Sequence, residues 1–107
     1  MPSYLVETYL ARGQVRERAA QELRARSAAE ELSEGRVRVR FDRSIYVPED
    51  EICFFVFDAP SGRDAALAAE RAALDPIRVV KAISSGKEEP QAKSPRTAND
   101  DEGGKTR

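Results

Sequence analysis

The chain has 107 residues, with 18 Lys and Arg against 19 Asp and Glu and a formal net charge of -1. This length allows one domain with a single modest core. The sequence contains no His and one Cys, which excludes Ser-His-Asp and Cys-His catalysis, His-ligated zinc and an intramolecular disulfide. The near-neutral charge provides no strong field to recruit nucleic acid or an anionic membrane. The composition therefore predicts no nucleic-acid partner, no membrane partner and no cofactor.

The beginning of the chain has no basic segment, and its apolar stretch is interrupted at Glu7 and Thr8. A signal peptide needs a basic start and a membrane span needs about 18 or more apolar residues, so we expect neither. A single Cys without an export signal fits a reducing compartment, which predicts a cytoplasmic protein. The abundance of Ala and Arg over Lys is typical of a GC-rich bacterial genome.

Apolar periodicity and turn residues predict six elements in the order β-α-β-β-α-β. They are a strand over residues 3–9, a helix over 14–33, a strand over 36–47, a strand over 51–58, a helix over 61–74 and a strand over 77–84. Gly35 is placed to close the first helix, and Ser61 with Asp64 resembles the capping box of the second. The first helix carries an approximate apolar stripe that we expect to face the core: Val15, Ala19, Leu23, Ala28 and Leu32.

This order of elements is typical of the ferredoxin-like α+β sandwich, in which two helices cover one face of a four-stranded antiparallel sheet. The first and third strands of that fold are central, and the third predicted strand is the most apolar segment of the chain. We expect the domain to span residues 1–84. Residues 85–107 contain no bulky apolar side chain and balance their charges, which predicts a disordered charged tail.

The second face of the predicted sheet carries apolar side chains that the two helices do not reach. The third strand presents Ile52, Phe54 and Val56 to one face, and Cys53, Phe55 and Phe57 to the other. Each large side chain left in water forfeits about 1.5–3 kcal/mol of burial free energy. We therefore expect a homodimer joined through the open sheet face, since two-fold dimers are the commonest oligomers. A small-ligand cavity and a different protein partner are the competing occupants.

Several polar residues are candidates for function. Arg36, Arg38 and Arg40 lie on one face of the second predicted strand, with Arg43 just beyond. They form either an anion-binding strip or a solvated edge whose like charges prevent aggregation. Glu7, on a central strand, must be either paired or functional, and the nearby arginines are candidate partners. We expect Cys53 to be buried and inert.

Aromatic side chains on the third strand resemble the base-stacking residues of RNA-binding sheets. They are Phe54, Phe55 and Phe57, with Tyr4 on the first strand. The RNA-binding pattern requires a basic residue and Gly ahead of its aromatics, where this chain has Glu51, Ile52 and Cys53. We therefore assign these aromatics to the core and the dimer interface.

Residues 1–7, 57–61 and 74–79 (MPSYLVE, FDAPS and LDPIRV) resemble a family of small bacterial ferredoxin-like proteins of unassigned function that includes a nickel-binding member. The resemblance covers most of residues 1–84 and implies a dimeric ferredoxin-like fold. The family typically has a His where this chain has Arg43, and many relatives have a Cys where it has Phe55. Nickel favours imidazole and thiolate ligands. The resemblance therefore implies that metal binding is lost here or exchanged for anion recognition.

The sequence thus predicts a dimeric, non-enzymatic ferredoxin-like protein that holds a small ligand or an anion at its sheet face. The ligand-binding candidates are Glu7, Arg43, Tyr46 and Cys53. One alternative is a cofactor-independent oxygenase or isomerase of the dimeric α/β-barrel type, with Glu7 or a Tyr as the acid–base group. The other alternative is a divergent nickel site made of carboxylates and Cys53.

Overall fold

The structure, a computed structural model, describes residues 1–83 and 85 of the chain. Its elements are β1 (Ser3–Tyr9), a 3₁₀ helix (Arg12–Glu17), α1 (Arg18–Glu34), β2 (Arg40–Val47), β3 (Ile52–Asp58), α2 (Gly62–Arg71) and β4 (Arg78–Ala82). The tail predicted over 85–107 lies outside the described residues except for residue 85. Within residues 1–83 and 85, no helix has the length and apolar composition needed to cross a membrane.

The four strands form one sheet in the order β2-β3-β1-β4, and every neighbouring pair is antiparallel. α1 packs on β2, α2 packs on β1 and β4, and the two helices contact each other. This arrangement confirms the predicted ferredoxin-like α+β sandwich. β1 and β3 are the two central strands, as the apolar composition of β3 predicts.

The register of β1 against β3 separates the two faces of the sheet. Val6 lies opposite Phe55, and both side chains are fully buried beneath the helices. Leu5 lies opposite Val56 on the other face. Because side chains alternate along a strand, these two pairs and the strand registers identify the face on which each of the remaining strand residues lies.

The core lies between the helices and one face of the sheet. The helices contribute small side chains, Ala25, Ala28 and Ala29 from α1 among them, which let the helix backbones approach the sheet closely. The sheet contributes large aromatics, with the ring centroid of Phe41 at 5.4 Å from that of Phe57. Small helix residues against large strand residues allow the close packing that is typical of protein interiors.

The apolar stripe expected along the first helix is wrong over its first half. A 3₁₀ helix precedes α1, and Val15 and Leu23 are 43% and 67% exposed. Buried α1 residues begin only at Ala25. The first turns of α1 instead direct the polar side chains of Arg18 and Glu22 at the sheet, where Ser44 supplies their hydrogen bonds.

The second strand begins later than predicted. Arg36 has a φ of 81°, in the left-handed region, so the chain turns there and β2 starts only at Arg40. A β-bulge then falls between Phe41 and Arg43. Strict alternation would place Arg40 and Arg43 on opposite faces, but the extra residue of the bulge brings both arginines to the same face.

Candidate functional site

The sheet face that points away from the helices carries a continuous apolar surface, which we call the apolar patch. It consists of Leu5, Ile45, Val47, Ile52, Phe54, Val56 and Val80, as the strand registers place them. Its centre is covered by its neighbours, since Val56 is 4% exposed, while its periphery meets solvent at Ile45, which is 40% exposed. The patch draws on all four strands, so a partner seated on it would contact the whole width of the sheet.

Ion pairs around the patch neutralise the arginines of this face. The pairs are Arg40 with Asp58 at 3.0 Å, Arg43 with Asp42 at 2.5 Å and Arg78 with Glu7 at 2.7 Å. Ser3 Oγ also donates a hydrogen bond of 2.8 Å to Asp58 Oδ1. The face therefore presents an apolar centre with balanced charges around it.

Glu7, which the sequence leaves as either paired or functional, is paired. Its Oε1 accepts a hydrogen bond from Nε of Arg78, the residue directly opposite it on β4. The Glu7 side chain is 17% exposed. The sequence suggests a partner for Glu7 among the arginines of the second strand, whereas the structure provides Arg78 from β4. The ferredoxin-like strand order could have predicted this pair, because it makes β4 the neighbour of β1.

The four predicted ligand-binding residues do not share one surface. Glu7 and Arg43 lie on the open face, on the strands on either side of β3. Tyr46 and Cys53 lie opposite each other on the helix-covered face. The Tyr46 hydroxyl donates a hydrogen bond of 2.8 Å to the Leu10 carbonyl, and Cys53 is fully buried. A ligand on the open face would therefore contact at most the first two.

Beside Cys53 lies a polar cluster that the sequence did not predict. Arg18 donates from Nε to Ser44 Oγ at 2.8 Å and from Nη2 to the Ser44 carbonyl at 3.2 Å. Ser44 Oγ in turn donates to Glu22 Oε2. Burial raises the pKa of the Cys53 thiol; Arg18 acts in the opposite direction and Glu22 raises it further. A raised pKa keeps the thiol protonated, which supports the expectation of an inert cysteine.

The geometry of the acidic and thiol groups bears on the metal alternative. Among residues 1–83 and 85, no group of three or more His, Cys, Asp or Glu residues is arranged to hold a metal ion. Glu7 and Cys53 project from opposite faces of the sheet, so they cannot ligate the same ion. A site built from these two residues would require the strands to refold.

The predicted arginine strip is divided between three environments. Arg40 is paired with Asp58 on the open face. Arg36 precedes β2 and lines a hollow of about 280 Å³ beside Pro60. Arg38 lines this hollow, and it also lines a larger cleft beside α1 together with Arg40. The three arginines therefore do not form one strip along a strand.

A hydrogen-bonded group lies beside the patch, at the β2–β3 hairpin. Glu51 accepts from the backbone N–H of Arg12 at 2.9 Å and from the Tyr9 hydroxyl at 3.3 Å. The Arg12 hydrogen bond lowers the pKa of Glu51, and the Glu51 charge raises the pKa of Tyr9. The Tyr9 hydroxyl therefore stays protonated at neutral pH and is a poor general base.

Comparisons with protein-family models, with curated proteins and with solved structures found no match for this chain. The resemblance carried by residues 1–7, 57–61 and 74–79 remains a prediction.

Proposed function

We propose that this protein is a non-enzymatic homodimer in which two copies pack through their open sheet faces. The observation that carries the proposal is the apolar patch, which crosses all four strands on the face that neither helix covers. Burying one large apolar side chain of such a patch contributes about 1.5–3 kcal/mol. A second copy is always available as a partner, because it is present at the same concentration as the protein itself.

The charges around the patch favour a second copy over a different partner. A two-fold interface packs the same surface against itself, so a face with a net charge of either sign would repel its copy. Here the arginines of the face already hold carboxylates: Arg40 holds Asp58, Arg43 holds Asp42 and Arg78 holds Glu7. The face is therefore compatible with itself.

The same pairing weighs against an anion or a small ligand as the main occupant of the face. An anion that approached Arg43 would compete with the carboxylate of Asp42, which lies 2.5 Å away. An enzymatic role for Glu7 would likewise require it to leave Arg78.

We include a cytoplasmic location in the proposal, because the one Cys is buried as a free thiol and fits a reducing compartment.

The proposal is tested by sedimentation equilibrium of the whole chain at micromolar concentration. We expect the mass of two chains for the wild type and the mass of one chain for Phe54→Glu, since this substitution buries a carboxylate in the interface. The matched control is Leu23→Glu, which makes the same kind of change at a 67% exposed position of α1. This control should remain dimeric.

A wild type with the mass of one chain at micromolar concentration would overturn the proposal, provided that circular dichroism shows a folded protein. Equal dissociation of Phe54→Glu and Leu23→Glu would overturn the assignment of the interface to the patch. Native mass spectrometry adds a separate readout: a small molecule retained on a single chain would favour the ligand alternative over the dimer.

A further inference from the structure

A cleft of about 620 Å³ lies between the second half of α1 and the start of β2. Its apolar lining consists of Met1, which is 56% exposed, and of Ala29, Val39 and Phe41, which are at most 5% exposed. Both Val39 and Phe41 are core residues that face the helices, so the cleft lies at the edge of the helix-covered layer. The cleft is thus separate from the apolar patch, and its volume is in the range of small-molecule sites.

Three arginines line this cleft; Arg40 is paired with Asp58, while Arg26 and Arg38 form no ion pair with any described residue. The guanidinium carbon of Arg26 lies over the Phe41 ring, 5.2 Å from its centroid. Among the described residues, no carboxylate oxygen lies within 4.0 Å of a guanidinium nitrogen of Arg26 or Arg38. A guanidinium held over an aromatic ring keeps its N–H groups at the edge of its plane, where they can donate to an anion.

Two glutamates limit which anion fits. Glu30 and Glu34 also line the cleft, and neither forms an ion pair with a described residue. Their charges oppose a dianion such as a phosphate monoester more strongly than they oppose a monoanion. Since the Met1 side chain gives the cleft an exposed apolar wall, the charges and the wall together select a small apolar molecule that carries one negative charge.

We propose that the cleft between α1 and β2 binds a small apolar carboxylate, with Arg26 and Arg38 donating to the carboxylate and the exposed Met1 side chain contacting the apolar part. Arg38 is one of the three arginines that the sequence placed in an anion strip. The structure gives it a different neighbour, Arg26, from a part of the chain that sequence spacing did not connect to it. The site needs no second copy, so it stands independently of the proposed dimer.

The test is a titration of the whole chain with phenylacetate at low ionic strength, followed by calorimetry and by amide chemical shifts. We expect saturable binding of one molecule per chain, with shifts concentrated at residues 38–41. Arg38→Ala and Arg26→Ala should each weaken binding at least about tenfold, since a charge-assisted hydrogen bond is lost. Arg38→Lys should bind with intermediate affinity, because it keeps the charge and loses the bidentate geometry.

The matched control is Arg63→Ala, which removes the same charge from an exposed position on α2. It should bind phenylacetate as the wild type does. Equal weakening by Arg63→Ala would overturn the site, because binding would then follow net charge alone. Equal affinity for phenylacetamide would overturn the role of the arginines, and tighter binding of phenyl phosphate would overturn the choice of a monoanion. An absence of saturable binding at millimolar phenylacetate would overturn the whole proposal.

Discussion

The two faces of the four-stranded sheet are covered in different ways. On one face, alanine-rich surfaces of α1 and α2 close over large side chains such as Phe55 and Phe57. On the other face, the apolar patch has no helix above it, and its charged neighbours are paired with one another. The comparison teaches that the covered face is completed within one chain, whereas the open face keeps apolar side chains that the proposed second copy would cover.

The covered face is itself divided into an apolar and a polar part. Under the second half of α1 the contacts are apolar, with Ala25, Ala28 and Ala29 against the sheet. Under the first turns of α1 they are polar, with Arg18 and Glu22 bound to Ser44. A helix can therefore cover a sheet with polar residues where the sheet provides a partner for each of them.

The largest effect should separate two neighbouring residues on β3. Phe55 is fully buried under the helices, so Phe55→Ala should lower the free energy of unfolding by about 3–5 kcal/mol. Phe54 lies on the open face, so Phe54→Ala should lower the free energy of unfolding much less at high dilution, where the proposed dimer dissociates. Urea denaturation at several protein concentrations measures both changes. Similar losses for the two variants at high dilution would contradict the distinction between the faces.

The polar part of the covered face should give the next largest effect. Ser44→Ala removes the hydroxyl that joins Arg18 to Glu22, and we expect it to lower the free energy of unfolding by about 1–3 kcal/mol, because two partly buried charged groups lose their partner. The control is Ser27→Ala, at an exposed position of α1, the helix that carries Arg18 and Glu22. This control should change stability little. If both variants unfold at the same urea concentration, the cluster does not stabilise this part of the cover.

A smaller effect is expected at the start of α2, the helix that covers β1 and β4. Ser61 Oγ accepts a hydrogen bond of 3.2 Å from the backbone N–H of Asp64, as the predicted capping box requires. Ser61→Ala should cost about 1 kcal/mol of unfolding free energy, and Ser61→Asp should restore most of it. Thermal denaturation compares the three proteins. Failure of Ser61→Asp to recover stability would indicate that the loss does not come from the cap.

The smallest effect on stability, but a clear chemical one, is expected at the thiols of the two faces. Cys53 should react with a disulfide reagent only as fast as the protein unfolds, since it is fully buried and burial raises its pKa. A cysteine introduced by Ile45→Cys, on the open face, should react quickly in the monomer and slowly in the proposed dimer. Spectrophotometry of the released thiolate measures both rates, and rapid labelling of Cys53 in the folded protein would contradict its burial.

The pKa of Cys53 also sets the sign of a pH effect. The thiol is held neutral in the folded state, with a pKa above that of the unfolded chain. Its contribution to stability is therefore complete below the ordinary thiol pKa and decreases as the pH rises through the raised value. The free energy of unfolding of Cys53→Ala should lack this component of the alkaline decrease.

Much of the fold follows from local patterns in the sequence. The alternation of residues 3–9 predicts β1 with its observed bounds, and the apolar run of β3 predicts a central strand. The first half of α1 was not predictable in the same way. Val15 and Leu23 match a helical stripe by spacing, yet they are exposed. The side chains of Arg18 and Glu22 face the sheet instead, because Ser44 on β2 forms hydrogen bonds with both, and no local sequence pattern predicts this contact.

The features of the candidate sites also fall into those that local sequence patterns predict and those that the tertiary structure decides. The sequence by itself determined the order of elements, the two faces of each strand and the excess of apolar surface, because these depend on the alternation of neighbouring residues. Only the tertiary structure decided that Glu7 meets Arg78, that Cys53 and Tyr46 lie away from the open face, and that Arg26 and Arg38 line one cleft. Those outcomes depend on register, on the β-bulge and on the position of α1 over the sheet, which join residues distant in sequence.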